Sequence, residues 1–303
     1  MPEPLAECAG VTKDFRGLTV VDRVDLAVGP GEMVGLLGAN GAGKTTLIRM
    51  LLGLLPVSGG SVQLFGRPPS RATRQRIGYV PQTLGLYDDL TVAENLAFCR
   101  AVFSAAPAAR SGAVPESLRP YARVCVRDLP LGVARRAAFA QALEHRPELL
   151  LLDEPTSGVD PLARSRLWET IGEAAAGGAG AIVTTHNMEE AEECSRLVVL
   201  ADGRVVAAGT AAEIVGPART AVVRAADWAA ALRRLEAAGI RAVLSGQTLR
   251  VPDQPAPDVA RALAGLPARV SEQPATLEER FFALATAATA GTAGTGGTAG
   301  TAG

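Results

Sequence analysis

Two short runs carry the residues best suited to chemistry. The first is Gly38-Ala39-Asn40-Gly41-Ala42-Gly43-Lys44-Thr45, a G-x-x-x-x-G-K-T match with Thr46 beside it. Glycines let the backbone curl so that successive N–H groups point at an anion such as a β-phosphate. A helix starting near Gly43 aims its positive dipole end at the same anion. Lys44 adds a full charge for the β/γ oxygens, and the Thr45 hydroxyl is a ligand for Mg²⁺. The second run is Leu149-Leu150-Leu151-Leu152-Asp153-Glu154. An apolar strand there delivers two carboxylates at its end, where open α/β sheets bind their ligands. Asp153 is placed to hold the Mg²⁺ shell, and Glu154 to orient an attacking water or take its proton. The two runs together predict hydrolysis of MgATP or a close analogue.

The elements that must position these groups are readable from the pattern. Met33–Leu37 is predicted as a buried strand, followed by the glycine turn and a helix over Lys44–Leu55. Ile77–Val80, Leu149–Leu152 and Ala181–Thr184 are further predicted strands. Thr91 and Glu94 form a capping box at a helix start, and Val133–Glu144 reads as helix. Asp160-Pro161 fits an N-cap and first helical position. Asp202-Gly203, between Leu197–Leu200 and Val205–Ala208, is a hairpin turn signal. Such alternation predicts an α/β fold around a largely parallel, helix-covered sheet. After Gly216-Pro217 the order strand, helix, strand, strand, helix, strand predicts a small ferredoxin-like α+β appendage. The expected division is therefore 1–216, 217–286 and an Ala/Thr/Gly tail 287–303, which is expected to be disordered.

Composition narrows the partners. A formal net charge of −1 leaves no basic excess to neutralise phosphates, and aromatics at 4% offer no base-stacking platform, so nucleic acid is not expected. Cys8, Cys99, Cys125 and Cys194 are scattered and read as reduced thiols, and two histidines cannot build a His-based metal cluster. No apolar run approaches the ~20 residues of a membrane span, and the Met1-Pro2-Glu3-Pro4 start lacks a signal-peptide pattern. A role at a membrane would need a spanning partner.

With these runs in order, residues 5–215 resemble the ATP-binding-cassette (ABC) family of P-loop ATPases. Tyr79-Val80-Pro81-Gln82 is similar to the family's Q-loop, Glu154 to Pro161 to its catalytic-glutamate and D-loop segment, and Thr184-Thr185-His186 to its switch histidine. The resemblance implies a mixed-sheet core with a helical subdomain, and implies that Phe15 stacks on adenine and Gln82 contacts Mg²⁺. It further implies that His186 meets the γ-phosphate and that two cassettes, identical or different, sandwich two MgATP. Gly132 would then serve across that dimer, and Asp160, in the D-loop segment, would contact nucleotide. A separate integral-membrane permease would be the partner, with the chain peripheral on the cytoplasmic face.

Two departures stand out. The signature segment, usually Leu-Ser-Gly-Gly-Gln, reads Leu129-Pro130-Leu131-Gly132-Val133. Pro130 offers neither hydroxyl nor N–H, and Leu131 adds bulk where close approach favours glycine. This form is similar to that of ABC-2-type drug-export ATPases, as are Thr184–Glu192 and Thr276–Phe282, which favours export of a drug-like or lipid-like molecule. The alternative is a degenerate cassette that binds ATP as a regulatory partner with little hydrolysis. The second departure is Ala105–Gly112, where a helix of the helical subdomain is expected to be trimmed or missing.

Overall fold

The computed structural model describes residues 3–103, 114–252 and 254–293. Two compact units divide between Ala208 and Gly209. The chain runs through β1 (Ala6–Phe15), β2 (Leu18–Val28), β3 (Met33–Gly38), α1 (Lys44–Leu51), β4 (Gly59–Leu64), α2 (Arg71–Arg74), β5 (Ile77–Val80) and α3 (Val92–Phe103). It continues with α4 (Leu131–Leu143), β6 (Leu149–Asp153), α5 (Pro161–Ala176), β7 (Gly180–Thr185), α6 (Met188–Glu192), β8 (Arg196–Ala201) and β9 (Arg204–Gly209).

The first unit holds two sheets. Five strands of the larger one, ordered β5-β6-β7-β3-β8, are parallel, and β9 closes the edge. Such strands are covered on both faces and therefore read as continuous apolar runs: Leu149 to Leu152 are all buried. The turn into β9 is Asp202-Gly203, with Asp202 in the left-handed region (φ 47°), as a type I′ hairpin demands. The smaller sheet, β2-β1-β4, is antiparallel and was not among the expected strands. Side chains of β1, β2, α1, β3 and β6 meet in one core, including Val11, Val21, Leu36, Leu47, Ile48, Leu149 and Leu151. Helix α1 ends at Leu51 rather than Leu55, because Gly53 turns left-handed (φ 65°). The expected trimming at Ala105–Gly112 lies outside the described residues.

His145 follows α4 and sits buried, stacked on Phe103 with ring centroids 4.0 Å apart. Its Nε2 lies 3.1 Å from the Ile77 carbonyl, which can only accept, so Nε2 carries the proton. Burial pushes its pKa below the ordinary histidine value, opposed by that hydrogen bond. A folded-state pKa below the unfolded one means the unfolded chain takes up the proton first as pH falls. Stability is therefore expected to be intact above the ordinary histidine pKa of ~6.5 and to drop as pH falls from there toward the depressed value. Thermal melts across pH 7.5 to 5 check this, with His145→Gln expected to flatten the His145 part of the slope.

The second unit contains α7 (Ala211–Val215), β10 (Arg219–Ala225), α8 (Trp228–Ala237), β11 (Val243–Ser245), β12 (Thr248–Pro252), α9 (Ala256–Ala262), β13 (Ala268–Pro274) and α10 (Leu277–Ala293). Its antiparallel sheet has the order β11-β12-β10-β13. This is the ferredoxin-like arrangement, with α8 and α9 packed on one face through Ala231, Leu235, Val259 and Leu263. Two expectations are corrected. The division comes before α7, whose Ile214 carbonyl accepts from Arg280 Nε on α10, so α7 belongs to the second unit. And α10 continues to Ala293, into the tail expected to be disordered from 287, because the alanine-rich run retains helix propensity beyond the apolar part. The capping box at Thr276 starts it: Glu279 accepts from the Thr276 N–H (2.7 Å), from Thr220 Oγ1 (2.8 Å) and from Arg250.

Candidate active site

The phosphate loop, the Asp153-Glu154 pair, Gln82 and His186 follow the C-terminal ends of β3, β6, β5 and β7, four strands of one parallel sheet. That single edge is why residues scattered over 150 positions converge. Gly43 caps α1 with φ 99°, and a Cβ there would lie 2.8 Å from the Val20 carbonyl. Only glycine fits the left-handed backbone and the close approach together. A cleft of ≈ 290 Å³ opens beside it, lined by Val20, Asn40, Gly41, Gly43, Lys44, Thr45, Thr46, Gln82 and Glu154.

Lys44 is buried, and its ammonium donates to the Gly38 (2.7 Å) and Ala39 (3.2 Å) carbonyls. Burial lowers its pKa, against the opposing pull of Glu154, 3.6 Å away, and of Asp153. A cation desolvated in this way, facing backbone carbonyls and one nearby carboxylate, is prepared for an anion. Ala42 is buried beneath the loop.

Asp153 is almost fully buried, and its Oδ1 accepts from Thr45 Oγ1 (3.1 Å) and Thr184 Oγ1 (2.7 Å). One carboxylate and one hydroxyl side by side are oxygen ligands of the kind Mg²⁺ takes, with phosphates and water completing its shell. Among the described residues no cluster of three or more acidic, His or Cys side chains would hold a metal without such help. The Asp153 carboxylate and Thr45 hydroxyl fit Mg²⁺ as two of its oxygen ligands.

Glu154 is the hub. Its backbone lies at φ 48°, an uncommon conformation for a non-glycine residue that costs about 1–3 kcal/mol. Thr184 Oγ1 accepts from the Glu154 N–H at 2.8 Å and so helps to hold it there. The side chain is 11% exposed; Gln82 Nε2 donates to its Oε2 (3.2 Å), and His186 Nδ1 lies 3.4 Å from its Oε1.

Three expected site residues lie elsewhere. Phe15 ends β1, 43% exposed with the Lys13 ammonium 5.1 Å above its ring, and does not line the cleft. Gly132 and Asp160 lie together, since a Cβ on Gly132 would be 3.6 Å from Asp160 Oδ2. Asp160 caps α5 by accepting from the Ala163 N–H at 3.0 Å. Helix α4 starts at Leu131 after Pro130, with no side-chain cap, and Leu131 leans on Gly158.

Sequence reasoning missed four residues. Val20 walls the cleft from β2. Thr184 bridges Asp153 and the Glu154 amide. Arg135, buried on α4, donates to the Gln82 (2.9 Å) and Pro81 (3.4 Å) carbonyls and so fastens α4 to the turn after β5. Its pKa is lowered by burial and raised by Glu154. Glu190 lies behind His186. Arg135 stands beside Arg136 on α4, and the roles of all four depend on tertiary contacts.

Comparison with known proteins agrees with this geometry. Residues 21–157 match the family model described as ABC transporter. Nod factor export ATP-binding protein I of Burkholderia pseudomallei (strain 1710b) is 40% identical over 296 residues, which is 90% of this chain and 94% of that protein. The probable multidrug ABC transporter ATP-binding protein YbhF of Escherichia coli (strain K12) is 39% identical over 216 residues, 69% of this chain and 37% of that protein. A solved ATP-binding subunit of an ABC transporter superposes with TM-score 0.64 and 32% identity, covering 69% of this chain and 91% of that one. A dimeric ATP-binding cassette in a post-hydrolysis state with ADP and Pi shares the fold, with TM-score 0.60 and 23% identity over 68% of this chain and 98% of that one. Similarity at this level over nearly the full length, on a site with this geometry, places the chain among the ATP-binding subunits of ABC transporters.

Proposed function

We propose that this subunit drives export. It would work peripherally at the cytoplasmic face, beside an ABC-2-type permease and paired with an identical or homologous cassette, on a drug-like or lipid-like cargo. The observation that carries export is the match over 94% of a relative named for Nod factor export, supported by the multidrug relative. Among the described residues no helix is long and apolar enough to cross a membrane, so the pathway would belong to the partner.

In this reading the loop amides of Asn40 to Thr46 and Lys44 bind the phosphates. Thr45, Asp153 and Gln82 would hold Mg²⁺, which when bound supplies positive charge at the phosphate oxygens. Glu154 accepts the proton of the attacking water or orients it, and Gln82 and His186 fix the carboxylate. Lys44 and His186 stabilise the charge that develops on the γ-phosphate. Phe15 would stack on adenine. Gly132, at the start of α4, would face the nucleotide of the second cassette, and Asp160 would contact nucleotide.

Inside-out membrane vesicles containing the subunit and its permease test the direction. ATP is expected to drive accumulation of a fluorescent amphiphilic dye in them, and Lys44→Ala vesicles are expected to show none. ATP-dependent uptake confined to right-side-out vesicles would mean import instead.

A further inference from the structure

We infer that Glu190 is a positioning residue that locks the His186 segment to the Glu154–Asp160 segment, so that the two side chains keep one separation. The inference rests on the proposed roles of Glu154 and His186.

Glu190 lies on α6 and is 6% exposed. Its two carboxylate oxygens are divided between two segments. Oε1 accepts from Thr156 Oγ1 at 2.5 Å, and Oε2 accepts from Thr185 Oγ1 at 2.7 Å. Both hydroxyls are buried. Thr156 stands two residues after Glu154, and Thr185 stands immediately before His186. Arg164 on α5 places its Nε 3.5 Å from Oε1 and offsets the buried charge. Thr185 Oγ1 also accepts from the Asn187 N–H (3.0 Å), and Asn187 caps α6 by accepting from the Glu189 N–H (2.9 Å). His186 is thus held on both sides by a network that ends on Glu190. A crevice of ≈ 90 Å³ between the two segments is lined by Glu154, His186, Arg164 and Glu190 together.

Burying a carboxylate is costly unless each oxygen finds donors, and hydrogen bonds to a charged acceptor are the short, strong ones. A short helix such as α6 does not need a buried acid to pack, and Ala191 already fills its apolar contact. What the acid adds is a fixed distance. Without it, the two segments are joined only through β6–β7 pairing and the Glu154 N–H to Thr184 bond, the tie between Thr156 and Thr185 is lost, and the 3.4 Å spacing from Glu154 Oε1 to His186 Nδ1 loses a constraint. Misplacement by about 1 Å costs up to about 10²-fold in rate. ATP binding at Lys44 lies outside this network.

The test is steady-state ATPase kinetics on Glu190→Ala, Glu190→Gln, Thr156→Val, Thr185→Val, His186→Ala and the Glu190→Ala/His186→Ala double variant. Glu190→Ala is expected to lower kcat about 10- to 10²-fold, with KM for ATP within about twofold of wild type. Glu190→Gln, which keeps the shape and one acceptor, is expected to restore at least a third of kcat. The double variant is expected to be no slower than His186→Ala alone, because Glu190 acts through the histidine. If Glu190→Ala shows no cooperative melt, the two valine variants decide, each expected to lower kcat at least about threefold at unchanged KM. Wild-type kcat in folded Glu190→Ala, or in both valine variants, overturns the inference; so does a double variant whose losses multiply. Glu154→Gln is measured alongside. Full activity there would overturn the reading of the site itself, whatever Glu190 does.

Discussion

Glu154→Gln is expected to lower steady-state ATP hydrolysis by about 10²- to 10⁴-fold, the range over which a positioned general base contributes. The substitution keeps the shape of the side chain and its contact with Gln82. It removes the negative charge 3.6 Å from Lys44 and 3.4 Å from His186, and with it the ability to take a proton from water. Nucleotide binding should survive, and even tighten, because a buried negative charge beside the phosphates is gone. Phosphate release together with equilibrium binding of a fluorescent ATP analogue separates the two effects. Weakened binding with unchanged kcat would mean that Glu154 is a structural partner of Lys44 and nothing more.

Lys44→Ala should act on the other side of that division. The loop loses its buried cation, and the Gly38 and Ala39 carbonyls lose their donor. A hydrogen bond to a charged group contributes about 1.5–3 kcal/mol, so ATP affinity is expected to fall about 10- to 10²-fold and hydrolysis to fall below detection. Magnesium dependence should be lost with it. Wild-type affinity in the folded variant, measured by titration calorimetry, would place the phosphates away from this loop.

The cradle and the carboxylates were legible because each is contiguous. Three glycines, a lysine and a threonine, or four leucines and two acids, put the chemistry and its supporting element in one stretch of chain. Gln82 and His186 followed by resemblance, and the fold brings both against Glu154. What stayed hidden was whatever packing decides. Strand β1 has bulges between Cys8 and Val11 and again near Lys13, which break the period-two alternation that would have announced it. Val20 lines the cleft only because β2 passes over Gly43. In the sequence Thr184 is simply the end of an apolar strand, yet its hydroxyl joins Asp153 to the Glu154 backbone. Arg135 sits next to Arg136, and nothing local says that the first is buried against the turn after β5. The proline of the Leu129–Val133 segment was legible, and the structure adds that Leu131 rests on Gly158 of its own chain. For the second unit, the sequence order of strands and helices was enough to anticipate the four-stranded sheet. Its start was displaced to α7 by contacts made some sixty-six residues away.

The central claim is that this chain's own residues complete a magnesium-dependent ATPase site despite the proline in its signature segment. Phosphate release by the purified wild-type chain, with saturating ATP and either Mg²⁺ or EDTA, tests it most directly. Saturable release that requires Mg²⁺ and exceeds the Glu154→Gln rate by about 10²-fold or more is the expected result. Release no faster than that of Glu154→Gln, from a chain that still binds ATP, would contradict it and make the cassette a nucleotide-binding partner.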